Sequence, residues 1–355
     1  MKLFIIWAIT SFIPSNPDHK TFAMEDWKPG VLFGDRLVVF KDQIYVHDTY
    51  DEKIKVYHIG EGLDSPVFLW NTPGPGAGPG EIPKGAMVNN LTINPTTSRL
   101  WVSHRYGFTI YDPDGIHVKN MKMPFNQSWL SIDGEQICTT SFNTLKHRTL
   151  LTYGQIGKRA PHWELPMPHG IPLSKKGRFL KASPELYRDQ NHFIYYNAAI
   201  GELALVTETG NLEMLIHVEQ ALPESLSLDG YNEKFRYGKD PMSVSHLPFG
   251  YSGVVRQKGV ITLLSLAFCS SIVTKEGVAE IPPQDGKPGA VKRITEIDAE
   301  TGQVLGHYYH PVSREWIYLL QQKSNGNFLF FDMGTGTHLY SVSRSALQRI
   351  EKLNF

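Results

Sequence analysis

Four short β-prone phrases end on side chains that could bind a ligand. IYVHD closes on His47 and Asp48, RLWVSHR carries His104 and Arg105, FIYYN ends at Asn197 and FLFFD at Asp332. If a fold gathers these ends, they form a rim of mixed charge suited to a small molecule or a peptide. The oxygen donors of Asp48, Asn197 and Asp332 could together hold a divalent cation such as calcium. A competing role exists for each residue singly, because Asp and Asn at strand ends also cap turns by accepting from nearby backbone amides.

A second conspicuous stretch is NTPGPGAGPGEIP at 71–83, where Gly74, Gly76, Gly78 and Gly80 alternate with other residues and Glu81 follows. A phosphate-binding loop would close on GK[ST] and lead into a helix, and a dinucleotide fingerprint would space its glycines as G-x-G-x-x-G between strand and helix. Neither pattern is met, and both flanks (VFLW and NNLTI) have strand composition. Prolines without amide donors and glycines tolerant of close approach let such a segment bend without extending either neighbouring sheet. It is expected to be a loop between repeats.

Other constellations are weaker. His307 and His310 are three apart, which suits a helix face but puts them on opposite sides of a strand. His162 and His169 sit in a proline-rich segment, PHWELPMPHGIP. No G-x-S-x-G elbow occurs, no C-x-x-C pair exists, and the two cysteines, Cys138 and Cys269, each lie in an apolar run, as buried thiols do.

The elements that must position these residues are strands. Runs such as LVVF, IYVHD, KIKVYHI and VFLW recur with turn residues between them, and the turns PDG, ETGN and AETG are strong hairpin signals. Grouping the runs gives six meanders of about four strands, the last one WIYLLQQ, NFLFFD, THLYSVS and LQRIEKL. More than twenty short antiparallel strands in units of four predict an all-β, six-bladed β-propeller over residues 21–355, with longer inserts near 155–184, 219–250 and 268–291. The insert at 219–250, rich in charged and aromatic residues, is expected to be a lid or docking loop.

IYVHD and RLWVS as second strands, IKVYHIGEG and FTIYDPDG as third strands, and GPGAGPGEIP after the first unit resemble the NHL/TolB-like six-bladed propellers of bacteria. The sharpest likeness is confined to residues 76–82, with isoleucine where phenylalanine is usual. The resemblance implies that Asp48, Asn197 and Asp332 share one end of a central channel with His47, His104 and Arg105 and with the loop of Gly76, Gly78, Gly80 and Glu81. Related lactonases hold a metal there, but a glutamate in a corresponding place is missing from this chain. His104, Arg105 and Tyr106 are similar in type to catalytic groups of amidating-lyase propellers. The implied role is a binding module, with a metal-dependent hydrolase or lyase as the alternative.

The 355 residues carry 35 Lys plus Arg against 35 Asp plus Glu, with 41% hydrophobic and 12% aromatic residues. A balanced charge offers no field that would attract nucleic acid. MKLFIIWAITSFIP is long enough for a signal-peptide core and too short to span a bilayer. Residues 1–20 are therefore expected to be either a signal peptide of a periplasmic or secreted protein or an N-terminal strand of the fold.

Overall fold

The computed structural model describes residues 19–23, 34–59, 66–86, 88–122, 129–143, 148–158, 160–167, 185–189, 191–197, 201–218, 253–283, 289–310, 317–322, 326–332 and 338–354. It is an all-β propeller of four-stranded antiparallel blades. Blade A comprises Gly34–Phe40, Gln43–Asp48, Lys53–His58 and Val67–Asn71. Blade B comprises Val88–Asn94, Arg99–His104, Gly107–Tyr111 and His117–Met121. Blade C comprises Trp129–Asp133, Gln136–Asn143, Arg148–Gln155 and Trp163–Met167. Blade D comprises Glu185–Asp189, His192–Asn197, Glu202–Thr207 and Leu212–His217.

Two sheets depart from simple meanders. In the closing blade, Ile317–Gln322, Phe328–Asp332 and His338–Val342 are joined by His19–Ala23, whose backbone pairs antiparallel from His19 opposite Val342 to Ala23 opposite His338. The extended sheet holds seven strands. It has a meander of Gly253–Gln257, Val260–Phe268, Ala290–Asp298 and Val304–Tyr309, then Gln348–Asn354 and a hairpin of Ser271–Thr274 with Gly277–Glu280. The LQRIEKL segment is thus not the outer strand of the last meander, as the sequence pattern suggests. A 3-10 turn at Arg344–Ala346, capped by the Ser343 hydroxyl accepting from the Ala346 amide, redirects the chain onto the preceding sheet.

Inner strands touch in cyclic order: Gly34–Phe40 meets Val88–Asn94, then Trp129–Asp133, Glu185–Asp189, Gly253–Gln257 and Ile317–Gln322, which returns to Gly34–Phe40. The cores lie between blades. Ile44 and Val46 pack toward Leu329 and Leu339 of the closing blade, while Tyr45, Val56 and Ile54 pack toward Leu91, Val102 and Tyr111 of blade B. Adjacent residues of one strand point to opposite faces, so burial of both faces explains why IYV reads as a continuous apolar run. Cys138 and Cys269 are buried and unpaired, and burial raises both thiols. Among the described residues no helix is long and apolar enough to cross a membrane.

A repeated clasp joins neighbouring blades at their rims. The turn between the third and fourth strands of blade B is built on Asp112, whose Oδ1 accepts from the amides of Asp114 and Ile116. Gly115 in that turn lies under Trp70 of blade A, and the indole Nε1 donates to the Pro113 carbonyl at 3.0 Å. Gly210 of blade D sits likewise under Trp163 of blade C, whose Nε1 donates to the Glu208 carbonyl at 2.8 Å. In the extended sheet, Gly302 faces Met214 of blade D. These are the PDG, ETGN and AETG turns of the sequence, and the glycine serves both the turn and the approach of the neighbouring side chain.

Two outcomes follow from this architecture. Gly115 has φ +83°, and a Cβ there would fall 2.6 Å from the Trp70 ring, whereas Gly157, at φ +82° in the matching turn of blade C, has nothing within 4 Å. Gly115→Ala should therefore lower unfolding stability by about 3 kcal/mol, from backbone strain plus ring displacement, and Gly157→Ala by about 1 kcal/mol from strain alone, read by chemical denaturation. A chain shortened to begin after Ala23 should melt several degrees lower than one beginning at Ser15, because only the shorter one loses the outer strand of the closing blade.

Candidate functional site

In an antiparallel four-stranded blade, turns between second and third strands leave on the same face as the connections from each outer strand to the next inner strand. That upper face carries the sequence-predicted residues. His47 and Asp48 end the second strand of blade A and His104 ends that of blade B, with Arg105 in the turn after it. Asn197 and Asp332 end second strands of blade D and the closing blade. The side chains of Asn197 and Asp332, and the whole of 219–250 and His169, lie outside the described residues.

Asp48 is fully buried and both of its carboxylate oxygens are engaged. Oδ1 accepts from the Tyr50 amide at 3.0 Å, and Oδ2 pairs with the Lys55 ammonium at 2.8 Å. Lys55 is 2% exposed and also meets Asp51 at 2.6 Å. Burial alone pushes the Lys55 ammonium down, but hydrogen bonds and charge from Asp48 and Asp51 outweigh it, so the net shift is upward. His104 is buried, its Nε2 lies 3.1 Å from the Thr109 hydroxyl, and its Nδ1 accepts from the Tyr106 amide at 3.3 Å. That burial lowers the His104 imidazole below its ordinary value.

Two different residues thus do the same job. Asp48 and His104 each accept from the amide two positions on, and each fixes a turn that carries a tyrosine outward. Tyr50 is 69% exposed and Tyr106 is 53% exposed. Arg105 is exposed too, its guanidinium 4.9 Å from the Tyr106 ring centre. Blades A and B are neighbours, tied at the inner strands by Arg36 Nε donating to the Asn89 carbonyl at 3.0 Å. Sequence reasoning missed Tyr50, and it marked Tyr106 only as a catalytic-type group beside His104 and Arg105. The available signal was their common offset of two from the strand-ending residue in HDTY and SHRY.

The glycine-rich loop connects blade A to blade B on the same face. It closes on itself: the Gly76 amide donates to the Ile82 carbonyl at 2.9 Å, and the Glu81 amide donates to the Gly78 carbonyl at 3.1 Å. The Glu81 carboxylate turns inward and accepts from the Gly78 amide at 2.6 Å, so a side chain at Gly76 would overlap that carboxylate. The Tyr111 hydroxyl donates to the Gly80 carbonyl at 2.7 Å, and Ile82 is buried in the core between the blades. The loop's carboxylate is occupied internally, and its isoleucine is an anchor.

Elsewhere, His307 faces Thr295 across the extended sheet, its Nδ1 3.0 Å from the hydroxyl. Burial, with Arg293 and Arg349 nearby, drives its imidazole down to about 4. His162 lies beside Tyr153 with ring centres 5.7 Å apart. Among the described residues no group of three or more His, Cys, Asp or Glu side chains is disposed to hold a metal ion.

No family model and no curated protein matches this chain. Among solved structures it is similar to a Bacteroides fragilis protein described provisionally as exported, at 10% identity and TM-score 0.59, over 96% of this chain and 98% of that one. It is also similar to a member of the duf4221 family from Bacteroides vulgatus, at 9% identity and TM-score 0.52, over 94% and 97% of the two chains. These likenesses are to the fold.

Removing the Asp48 carboxylate takes a buried counter-ion from the buried Lys55 ammonium, so Asp48→Ala should destabilise by about 3 kcal/mol at neutral pH. The raised Lys55 value means its stabilising contribution is complete below the ordinary lysine range and is lost as pH rises through the folded value. Thermal melts of the wild type should fall in the alkaline range above about pH 10.5, and Asp48→Ala should begin that fall at lower pH.

Proposed function

We propose that the protein is an exported six-bladed propeller that works as a binding or scaffolding module, engaging a protein or peptide through the upper face of blades A and B. The sixth blade in this reading is the four-strand meander within the extended sheet, a reading supported by the cyclic contacts of the inner strands. An exported location is supported by the apolar segment MKLFIIWAITSFIP and by the description of the Bacteroides fragilis protein as exported. The pattern of second and third strands supports an NHL/TolB-like relationship.

The observation that carries the functional reading is the pair of equivalent turns presenting Tyr50 and Tyr106. Exposed tyrosines held by a buried cap meet a partner with little further loss of freedom, and Tyr and Arg are the side chains enriched where binding energy concentrates. The groups that could have done chemistry beside them are engaged internally: Asp48 with Lys55 and Tyr50, His104 with Thr109 and Tyr106, and Glu81 with Gly78.

Site-specific photo-crosslinking in producing cells tests this. A crosslinker at position 50 or 106 should give a discrete protein adduct, whereas one at Glu300 on the opposite face should not. Replacing the other tyrosine by alanine should weaken capture about tenfold. Equal labelling of both faces, or none at 50 and 106, would overturn the reading. A stoichiometric divalent ion in the purified protein, with melting lowered by chelator, would favour the metal-dependent hydrolase or lyase instead.

A further inference from the structure

The lower face has a different character. At two junctions of its inner rim, ion pairs run between neighbouring blades. Asp133, at the end of the inner strand of blade C, meets Arg188 of blade D at 3.1 Å, and Arg188 also meets Glu208. One blade further on the arrangement repeats, with Asp189 at the end of the inner strand of blade D meeting Arg256 of the extended sheet at 3.1 Å. At this second position the turns leave a cleft of about 390 Å³ lined by Asp189, Asn191, His192, Arg256, Gln257 and Lys258. We propose that this cleft binds a small anion bearing a phosphate or carboxylate group.

The volume falls in the range of small-molecule sites, which span roughly 300–1,000 Å³, yet among the described residues the lining carries no aliphatic side chain. A ligand there must therefore be held by polar contacts. Among the described residues the one acid in the lining, Asp189, is matched by Arg256. The Arg256 guanidinium uses the same nitrogen, Nη1, for Asp189 and for His192 Nδ1 at 3.3 Å, and its Nε and Nη2 have no partner among the described residues. His192 in turn joins Glu213 through Nε2 at 2.8 Å, which fixes the ring with its Nδ1 toward the arginine. Lys258 is exposed, has no ion-pair partner among the described residues, and is the uncompensated charge of the cleft. Guanidinium forks and an ammonium recognise phosphate and carboxylate oxygens, the one by geometry and the other as a point charge.

The position of Lys258 makes the test clean. Lys258 and Gly259 have φ +50° and +78° and form the two-residue hairpin turn between Gly253–Gln257 and Val260–Phe268. Such turns favour glycine, so Lys258→Gly removes the charge without straining the backbone.

Inorganic phosphate and succinate are titrated by calorimetry into the full chain, against sodium chloride at matched ionic strength. A saturable signal with either anion, weakened at least tenfold in Lys258→Gly, supports the site, and the stronger of the two probes identifies the ligand's head group. Arg256→Gln should weaken binding further; should it fail to fold, the Lys258→Gly comparison decides alone. A signal no different from the chloride control, or unchanged in Lys258→Gly, overturns the proposal.

Discussion

Ile44 and Val46 of one short strand face the closing blade, and Tyr45 between them faces blade B. A sheet apolar on both faces cannot stand at the end of a stack, since burying one face leaves the other in water at roughly 25 cal/mol per Å². A closed ring removes the end. The pairing of His19–Ala23 with His338–Val342 acts on this same constraint: an N-terminal strand completes a blade otherwise made of the last meander, so the first described strand is locked onto the blade that closes the ring. The inter-blade clasps then act at the rim, where Trp70 and Trp163 each cover the turn glycine of the next blade.

The ring explains why the two faces can differ. Blade-to-blade packing is settled by the side chains buried between the sheets, so turns at either end can carry other side chains. On the upper face of blades A and B, a buried cap inside each turn turns a tyrosine outward. On the lower face of blades C and D and the extended sheet, the inner-strand ends instead hold charges that pair across the gap between blades. Both devices sit at strand ends. They differ in whether a polar side chain folds back onto its own turn or reaches the next one.

Much of this was legible in the chain. The strand runs, the D-x-x-G and T-x-x-G turns, and the placing of the glycine-rich segment between two units all follow from local composition and turn chemistry. The destination of LQRIEKL was not, because its period-two pattern fits any exposed sheet edge and only the redirecting turn at Arg344–Ala346 selects one. HKTFA was equally opaque, since an edge strand of five residues carries little pattern of its own. At the candidate site, Asp48 was visible as a polar strand end. Its buried partner was not, because Lys55 sits inside a run whose neighbours are apolar, and a lysine in such a run reads as solvent-facing until both sheet faces are known to be covered.

Polar residues at propeller strand ends differ in what they can offer a ligand. A carboxylate at the mouth of a ring is available to a ligand only if nothing inside the blade claims it, and in blade A the claim is strong. Lys55 is almost entirely withdrawn from water, and an ammonium so placed is tolerable only with a hydrogen-bonded counter-ion. Asp48 supplies that partner with one oxygen and fixes the Tyr50 turn with the other, so its two oxygens are committed to stability and to display. Were a ligand to take either oxygen, it would have to replace a buried ion pair or release the turn. The exposed tyrosine beyond the cap, whose ring has no partner among the described residues, is the part of this strand end open to a partner.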